Sequence, residues 1–315
     1  MDEFKKHLQN FIDYLRVKNY SKRTIEDYSF ELNLFFSWLN KKNIRFISEI
    51  NKFVILDYQA YLSITQSELT KKNFSASTQM NKLIKIKLFF SFLVKADILL
   101  NNPARNIKIP SRPQIIKWNL LSLRNIKKIL TSIDISNPLF YRDRAIIEIL
   151  YTTGIRASEL CNLKIEDIDY QNNYIRINSG KCNIDRFVPA CPGSLEFIKN
   201  YIEKYRKNYM RKFSGDYIFL SNKGLKLSKE ILGKIIKKHT APVLTEKKIS
   251  AHCFRVSAAT HMLKNGADIR YIQQFLGHKK IDMTIRYLKL EKSELKRVHS
   301  ASHPREKNRE PAKYE

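Results

Sequence analysis

The sequence predicts a mainly α fold with a small β-hairpin or sheet (α+β), built as a helical N-terminal domain followed by a larger mixed one. Three observations predict it. Apolar residues recur with a helical period through the first hundred positions. A proline-bearing basic stretch, "NNPARNIKIPSRPQIIKW", then interrupts the pattern near Asn101–Lys117. One pair of short β-rich runs flanking "NSGKCNID" breaks an otherwise helical second part.

Taken in order, "SKRTIEDYSFELNLFFSWL" starts a helix at Ser21, a good N-cap. It repeats apolar residues at Ile25, Tyr28, Leu32, Phe35, Phe36 and Leu39. "SASTQMNKLIKIKLFFSFLVKA" does the same with Leu83, Ile86, Phe90 and Leu93, and Lys82 and Lys85 are expected off the stripe. The proline-rich stretch is a linker, placed at residues 106–117, between an N-terminal domain of residues 1–105 and a second domain of 118–303. Beyond it, "LRNIKKILTSI" and "YRDRAIIEILYTTG" are helical, the latter closed by Gly154. The β-rich runs form a hairpin with Lys181 at its tip. Helices return in "SAHCFRVSAATHMLKNG", with Ser250 as N-cap and Gly266 as stop, in "DIRYIQQFLGH" from Asp268, and in "DMTIRYLKL" from Asp282. A last helical pattern, "KSELKRVHSASHP", precedes a charged tail at 304–315 that is expected to be disordered.

Charge narrows the partners. Lys and Arg total 58 against 30 Asp and Glu, a formal charge of +28. A surplus of that size calls for a polyanionic partner. The opening "MDEFKKHLQNFIDYL" lacks a signal-peptide pattern, and no apolar run approaches transmembrane length, so nucleic acid is favoured over a membrane surface. Lys22 and Arg23 beside the Ser21 cap, with Lys82 and Lys85, are the candidate phosphate contacts of the first domain. The cysteines, Cys161, Cys182, Cys191 and Cys253, show neither a CxxC pair nor zinc spacing with histidine. The expectation is a reducing cytoplasm, on the nucleoid, with no metal site.

Within the second domain the order of residues is diagnostic where each alone is ordinary. Arg156 and Glu159 in "TGIRASELCNLKIEDID" lie one helical turn apart. Lys181 follows in "SGKCNIDRFVP", then His252 and Arg255 in "HCFRVSAATHML", sharing one face at a helix start. His278 and Tyr287 close the series in "IQQFLGHKKIDMTIRYLKL". This ordered set resembles the tyrosine recombinase (phage integrase) family, in its Xer-like form, and "NYSKRTIEDYSFELNLFFSWL" and "SASTQMNKLIKIKLFFSFL" look like that family's SAM-like core-binding domain. The resemblance runs to about His303. Two positions depart from the family pattern: Val256 stands where a second histidine is usual, and "KKIDMT" replaces a Ser/Thr-rich stretch before the tyrosine.

The resemblance implies a core-binding domain and a catalytic domain forming a clamp around double-stranded DNA. It implies strand cleavage and rejoining through a 3′-phosphotyrosyl link, without metal, ATP or any other cofactor. Tyr287 would be the nucleophile, since an aryloxide can be expelled again when a DNA hydroxyl attacks. Arg156 and Arg255 would answer the charge of the phosphorane, and Lys181 would protonate the departing 5′ oxygen. His252 would take the tyrosine proton or help position the phosphate, His278 would hydrogen-bond the phosphate, and Glu159 would orient the pocket.

The implied assembly is a homotetramer on two DNA sites, alone or with a paired related recombinase. It would serve chromosome or plasmid resolution or mobile-element integration and excision. Two other readings stay open at this point. A type IB-like topoisomerase shares the catalytic set but works as a monomer, and a non-enzymatic architectural DNA-binding protein would explain the charge alone.

Overall fold

The computed structural model describes residues 2–66, 71–108, 119–178, 185–244 and 248–278. The chain divides into two compact units, Met1–Ile116 and Lys117–Glu315. The first is all helical among its described residues: α1 Asp2–Val17, α2 Lys22–Lys41, α3 Lys52–Ile64 and α4 Ala76–Lys95. Side-chain caps set three of the starts. The Ser21, Asn51 and Ser75 oxygens accept backbone N–H bonds from the first turns of α2, α3 and α4.

Each helix buries one stripe. Phe4, Leu8, Phe11 and Leu15 of α1 meet Leu32, Phe35, Phe36 and Leu39 of α2, and both meet Leu83, Ile86, Phe89, Phe90 and Leu93 of α4. Phe11 lies edge-on to Phe89 with ring centroids 5.5 Å apart. Ala104 and Ile107 join this core, so packing of the first unit continues past residue 105.

Lys82 corrects an expectation. Instead of lying off the stripe it is buried, its ammonium paired with Glu31 and set over the Phe74 ring. Lys85, partly covered, pairs with Asp27 at 2.7 Å. A lysine stem is apolar for four carbons, so it can line a helix interface when a carboxylate meets its head. Ile84, between them, is the residue that faces outward.

The second unit is organised around α6, Pro138–Thr153, which buries residues on most of its circumference and packs against α8, Pro192–Asn200, and α10, Ala251–Lys264. Before α6 comes α5, Leu123–Thr131, and after it α7, Ala157–Asn162. A three-stranded antiparallel sheet follows, in the order β1 (Ile168–Asp169), β2 (Tyr174–Ile177), β3 (Arg186–Pro189). β2 and β3 pair from Tyr174↔Pro189 to Ile177↔Arg186, which makes them the two arms of the expected hairpin. Lys181 lies in the connection, outside the described residues. The chain then forms α8, α9 (Lys229–Thr240, capped by Ser228), α10 and α11 (Ile269–Leu276, capped by Asp268).

Two polar arrangements are built into this core. Asp143 Oδ1 accepts from Arg142, Asp143 Oδ2 lies 2.8 Å from His239 Nε2, and Arg142 also donates to the Leu220 carbonyl. All three side chains are buried, and each is matched, as burial of charge requires. Ser257 Oγ of α10 accepts from the Leu121 N–H, tying the segment before α5 onto α10. Ser250 precedes α10 as expected, but its side chain makes no cap bond; its hydroxyl lies 3.5 Å from Cys253 Sγ instead.

Candidate active site

Three short segments meet at the site: the α6–α7 turn, the first turns of α10, and the end of α11. The α6–α7 turn begins at Gly154, whose φ of +57° ends α6 in the left-handed region. A side chain there would meet Leu276 at 3.1 Å, so glycine serves both the turn and the close approach of α11. Arg156 occupies the N-cap position of α7 with extended backbone, and Glu159 sits in the first turn. Glu159 Oε2 accepts the Arg156 N–H at 2.7 Å and Oε1 accepts from Arg156 Nη1 at 2.8 Å. One carboxylate thus caps a helix and holds a guanidinium.

From α10, Arg255 enters the core with its side chain buried. Its Nη1 donates to the Gly154 carbonyl at 2.7 Å and its Nη2 to the Leu276 carbonyl at 2.6 Å. Nη2 also lies 3.0 Å from His278 Nε2. A nitrogen facing a guanidinium is the acceptor, so His278 is neutral with its proton on Nδ1. Burial and then the charges of Arg255, Arg156 and Arg186 push His278 down to about 4, in agreement. His252, three residues before Arg255 and more exposed, is held below the ordinary histidine range by partial desolvation and then by Arg255 and Arg156.

The end of α11 supplies the acceptors. Gly277, at φ +64°, turns the chain so that the His278 N–H reaches the Gln273 carbonyl, while Gln273 Nε2 holds the His278 carbonyl. The Gly277 carbonyl accepts from Arg156 Nη2 at 3.2 Å. Arg156 and Arg255 therefore grip consecutive carbonyls of one turn, 277 and 276, from two different segments.

A third guanidinium completes the cluster. Arg186, the first residue of β3, donates from Nη1 to Glu159 Oε1 at 3.0 Å and from Nη2 to Oε2 at 2.8 Å. Burial alone would raise the Glu159 carboxyl. The Arg186 fork and the Arg156 N–H and guanidinium overrule it and hold it at about 2.

Of the seven expected positions outside the first unit, counting Glu159, five have described placements. Arg156, Glu159, His252, Arg255 and His278 come together; Lys181 and Tyr287 lie outside the described residues. Lys22, Arg23, Lys82 and Lys85 belong to the first unit, where Lys22 and Arg23 are exposed at the start of α2. Val256 is buried in α10. Arg186 was not expected. Its signal in "DRFVP" is faint, because an arginine alternating with Phe187 in a short strand looks like ordinary surface.

Fixed cations thus gather around one turn, in a helical unit with a small sheet. Residues 119–294 match the phage integrase family, and residues 7–99 match the phage integrase N-terminal SAM-like domain. The chain belongs to the phage integrase family, the tyrosine recombinases, and is a DNA strand transferase of that class. It is 31% identical to tyrosine recombinase XerD of Chlorobaculum tepidum, covering 96% of this chain and 98% of that protein. It is 33% identical to tyrosine recombinase XerC of Pelotomaculum thermopropionicum, covering 96% and 99%. In fold it is similar to the XerH site-specific recombinase bound to difH substrate, with a TM-score of 0.68 and 24% identity over 93% of this chain and 83% of that one.

Proposed function

We propose that this recombinase cleaves one strand of a double-stranded DNA site with Tyr287 and rejoins it to another. In this scheme the phenol oxygen attacks the phosphorus and the bond to the deoxyribose 5′ oxygen breaks. A 3′-phosphotyrosyl ester and a 5′ hydroxyl result, and the reverse attack by a 5′ hydroxyl restores the phosphodiester. Lys181 gives the proton to the departing oxygen and His252 takes the one from the phenol. Arg156 and Arg255 stabilise the charge gathered on the non-bridging oxygens, with His278 hydrogen-bonding the phosphate and Glu159 orienting the pocket. The observation that carries this reading is the convergence of Arg156, Arg255 and neutral His278 on the turn at 276–278. Such donors need no reorganisation as charge develops, because the backbone carbonyls already hold them in place.

Lys22 and Arg23 are proposed as backbone contacts of the core-binding unit. Lys82 and Lys85 act there through their pairing with Glu31 and Asp27, shaping the surface next to α2. The full-length similarity to XerC and XerD proteins favours site-specific recombination by a tetramer on two sites over a monomeric topoisomerase. No helix among the described residues is long and apolar enough to cross a membrane, and action on nucleoid DNA in the cytoplasm is part of the proposal.

The test uses a nicked duplex carrying the target site, which traps the covalent intermediate on a denaturing gel. The wild-type chain should give a shifted covalent band, and Tyr287→Phe should bind the duplex without forming one. A covalent band from Tyr287→Phe would remove Tyr287 from the mechanism.

A further inference from the structure

We propose that Arg186 is a positioning residue of the strand-transfer site, holding Glu159 so that Arg156 keeps its charge and its aim for the phosphate. The proposal rests on the recombinase reading above and extends it to a residue outside that reading's set.

Four observations support it. Glu159 meets both guanidiniums, Arg156 through one side-chain bond and Arg186 through a two-point fork. Without Arg186, one carboxylate would face one catalytic arginine and cancel it. With Arg186, the carboxylate is already satisfied, and Arg156 remains a net cation whose side chain is 39% exposed. Second, Arg186 packs flat against the 276–278 turn: a Cβ at Gly277 would stand 2.8 Å from Arg186 Nε. The turn whose carbonyl orients Arg156 is thus backed by the same side chain that holds Glu159.

Third, the Nε of Arg186 is buried without a hydrogen-bond partner among the described residues. A buried donor left unsatisfied is costly, and a side chain retained for stability alone would be expected to satisfy it. Fourth, Arg186 opens β3 opposite Ile177, at the base of the hairpin whose connection carries Lys181. Its fork therefore fixes the sheet to the first turn of α7, two parts of the site that no backbone hydrogen bond links directly among the described residues.

The experiment measures single-turnover formation of the covalent complex on the nicked duplex at saturating protein. Non-covalent affinity is measured separately in a Tyr287→Phe background. Arg186→Gln should lower the cleavage rate about 10- to 100-fold, the cost of misaimed and partly neutralised catalytic charge. Affinity for the duplex should stay within about threefold, since other cations dominate binding. Arg186→Lys, which keeps the charge and loses the fork, should recover part of the rate. The combined Glu159→Gln, Arg186→Gln variant should cleave faster than Arg186→Gln alone, because it removes the carboxylate that would otherwise neutralise Arg156.

If Arg186→Gln fails to fold, the double variant, which leaves no unpaired buried carboxylate, and Arg186→Lys carry the same comparison. The proposal is overturned if the wild type forms the covalent complex and Arg186→Gln matches it within twofold. It is also overturned if the double variant cleaves no faster than Arg186→Gln, or if affinity falls in parallel with rate. Absence of a covalent complex from the wild type would instead overturn the recombinase reading itself.

Discussion

At the scale of single residues, protonation decides what the site can do. His278 accepts from Arg255 only while its Nε2 is bare, and its folded value of about 4 keeps it so throughout the neutral range. Because the unfolded chain holds that proton more readily, from the ordinary histidine value of 6.5, the associated stability is fully present above about pH 6.5. It is lost as the pH falls toward 4. The separation corresponds to on the order of 3 kcal/mol. Urea titrations from pH 7 to 4 should therefore show declining stability, and His278→Gln should flatten the decline. His252, also held low, contributes in the same direction and leaves a residual slope. An unchanged slope in the variant would remove His278 from the account. Glu159 acts in a separate window, with stability lost only as the pH falls from 4.5 toward 2.

At the scale of elements, the decisive feature is the turn that ends α11. Gly277 must be left-handed and must also let Arg186 lie against its Cα. Gly277→Ala should cost roughly 1–2 kcal/mol for the backbone conformation alone. Displacement of Arg186 should add a loss of covalent-complex formation larger than that destabilisation explains. Denaturant melts and the nicked-duplex assay on the same preparation separate the two effects, and a stable variant with wild-type cleavage would refute the coupling. Much at this scale was readable in advance. Ser21, Gly154 and Asp268 sit at the helix ends where local chemistry puts them, and the hairpin arms pair as their β-rich runs suggest. Lys82 was misread because periodicity treats every lysine as polar, whereas its aliphatic stem packs and its head finds Glu31 from another helix.

At the scale of the whole molecule, the formal charge of +28 predicts an association with DNA driven by phosphate contacts. Binding of a nonspecific duplex by the Tyr287→Phe variant should fall steeply with salt. If about six phosphates are neutralised, affinity should drop roughly 10³-fold between about 50 and 200 mM. A shallow dependence would mean that the surplus charge lies away from the DNA.

By itself the amino-acid order determined the family: an arginine and a glutamate, a lysine, a His-x-x-Arg pair, a further histidine and a tyrosine in a specific sequence, on a basic two-part helical chain. Helix starts and stops were legible too, since caps and periodicity act over a few neighbouring residues. Tertiary structure alone decided that Glu159 answers two arginines rather than one, that Arg186 backs the Gly277 turn, and that Arg142, Asp143 and His239 satisfy one another inside the core. The decisive partners are distant in sequence: Glu159 and Arg186 stand 27 positions apart, Asp143 and His239 96. Packing sets such distances, and no local pattern encodes them.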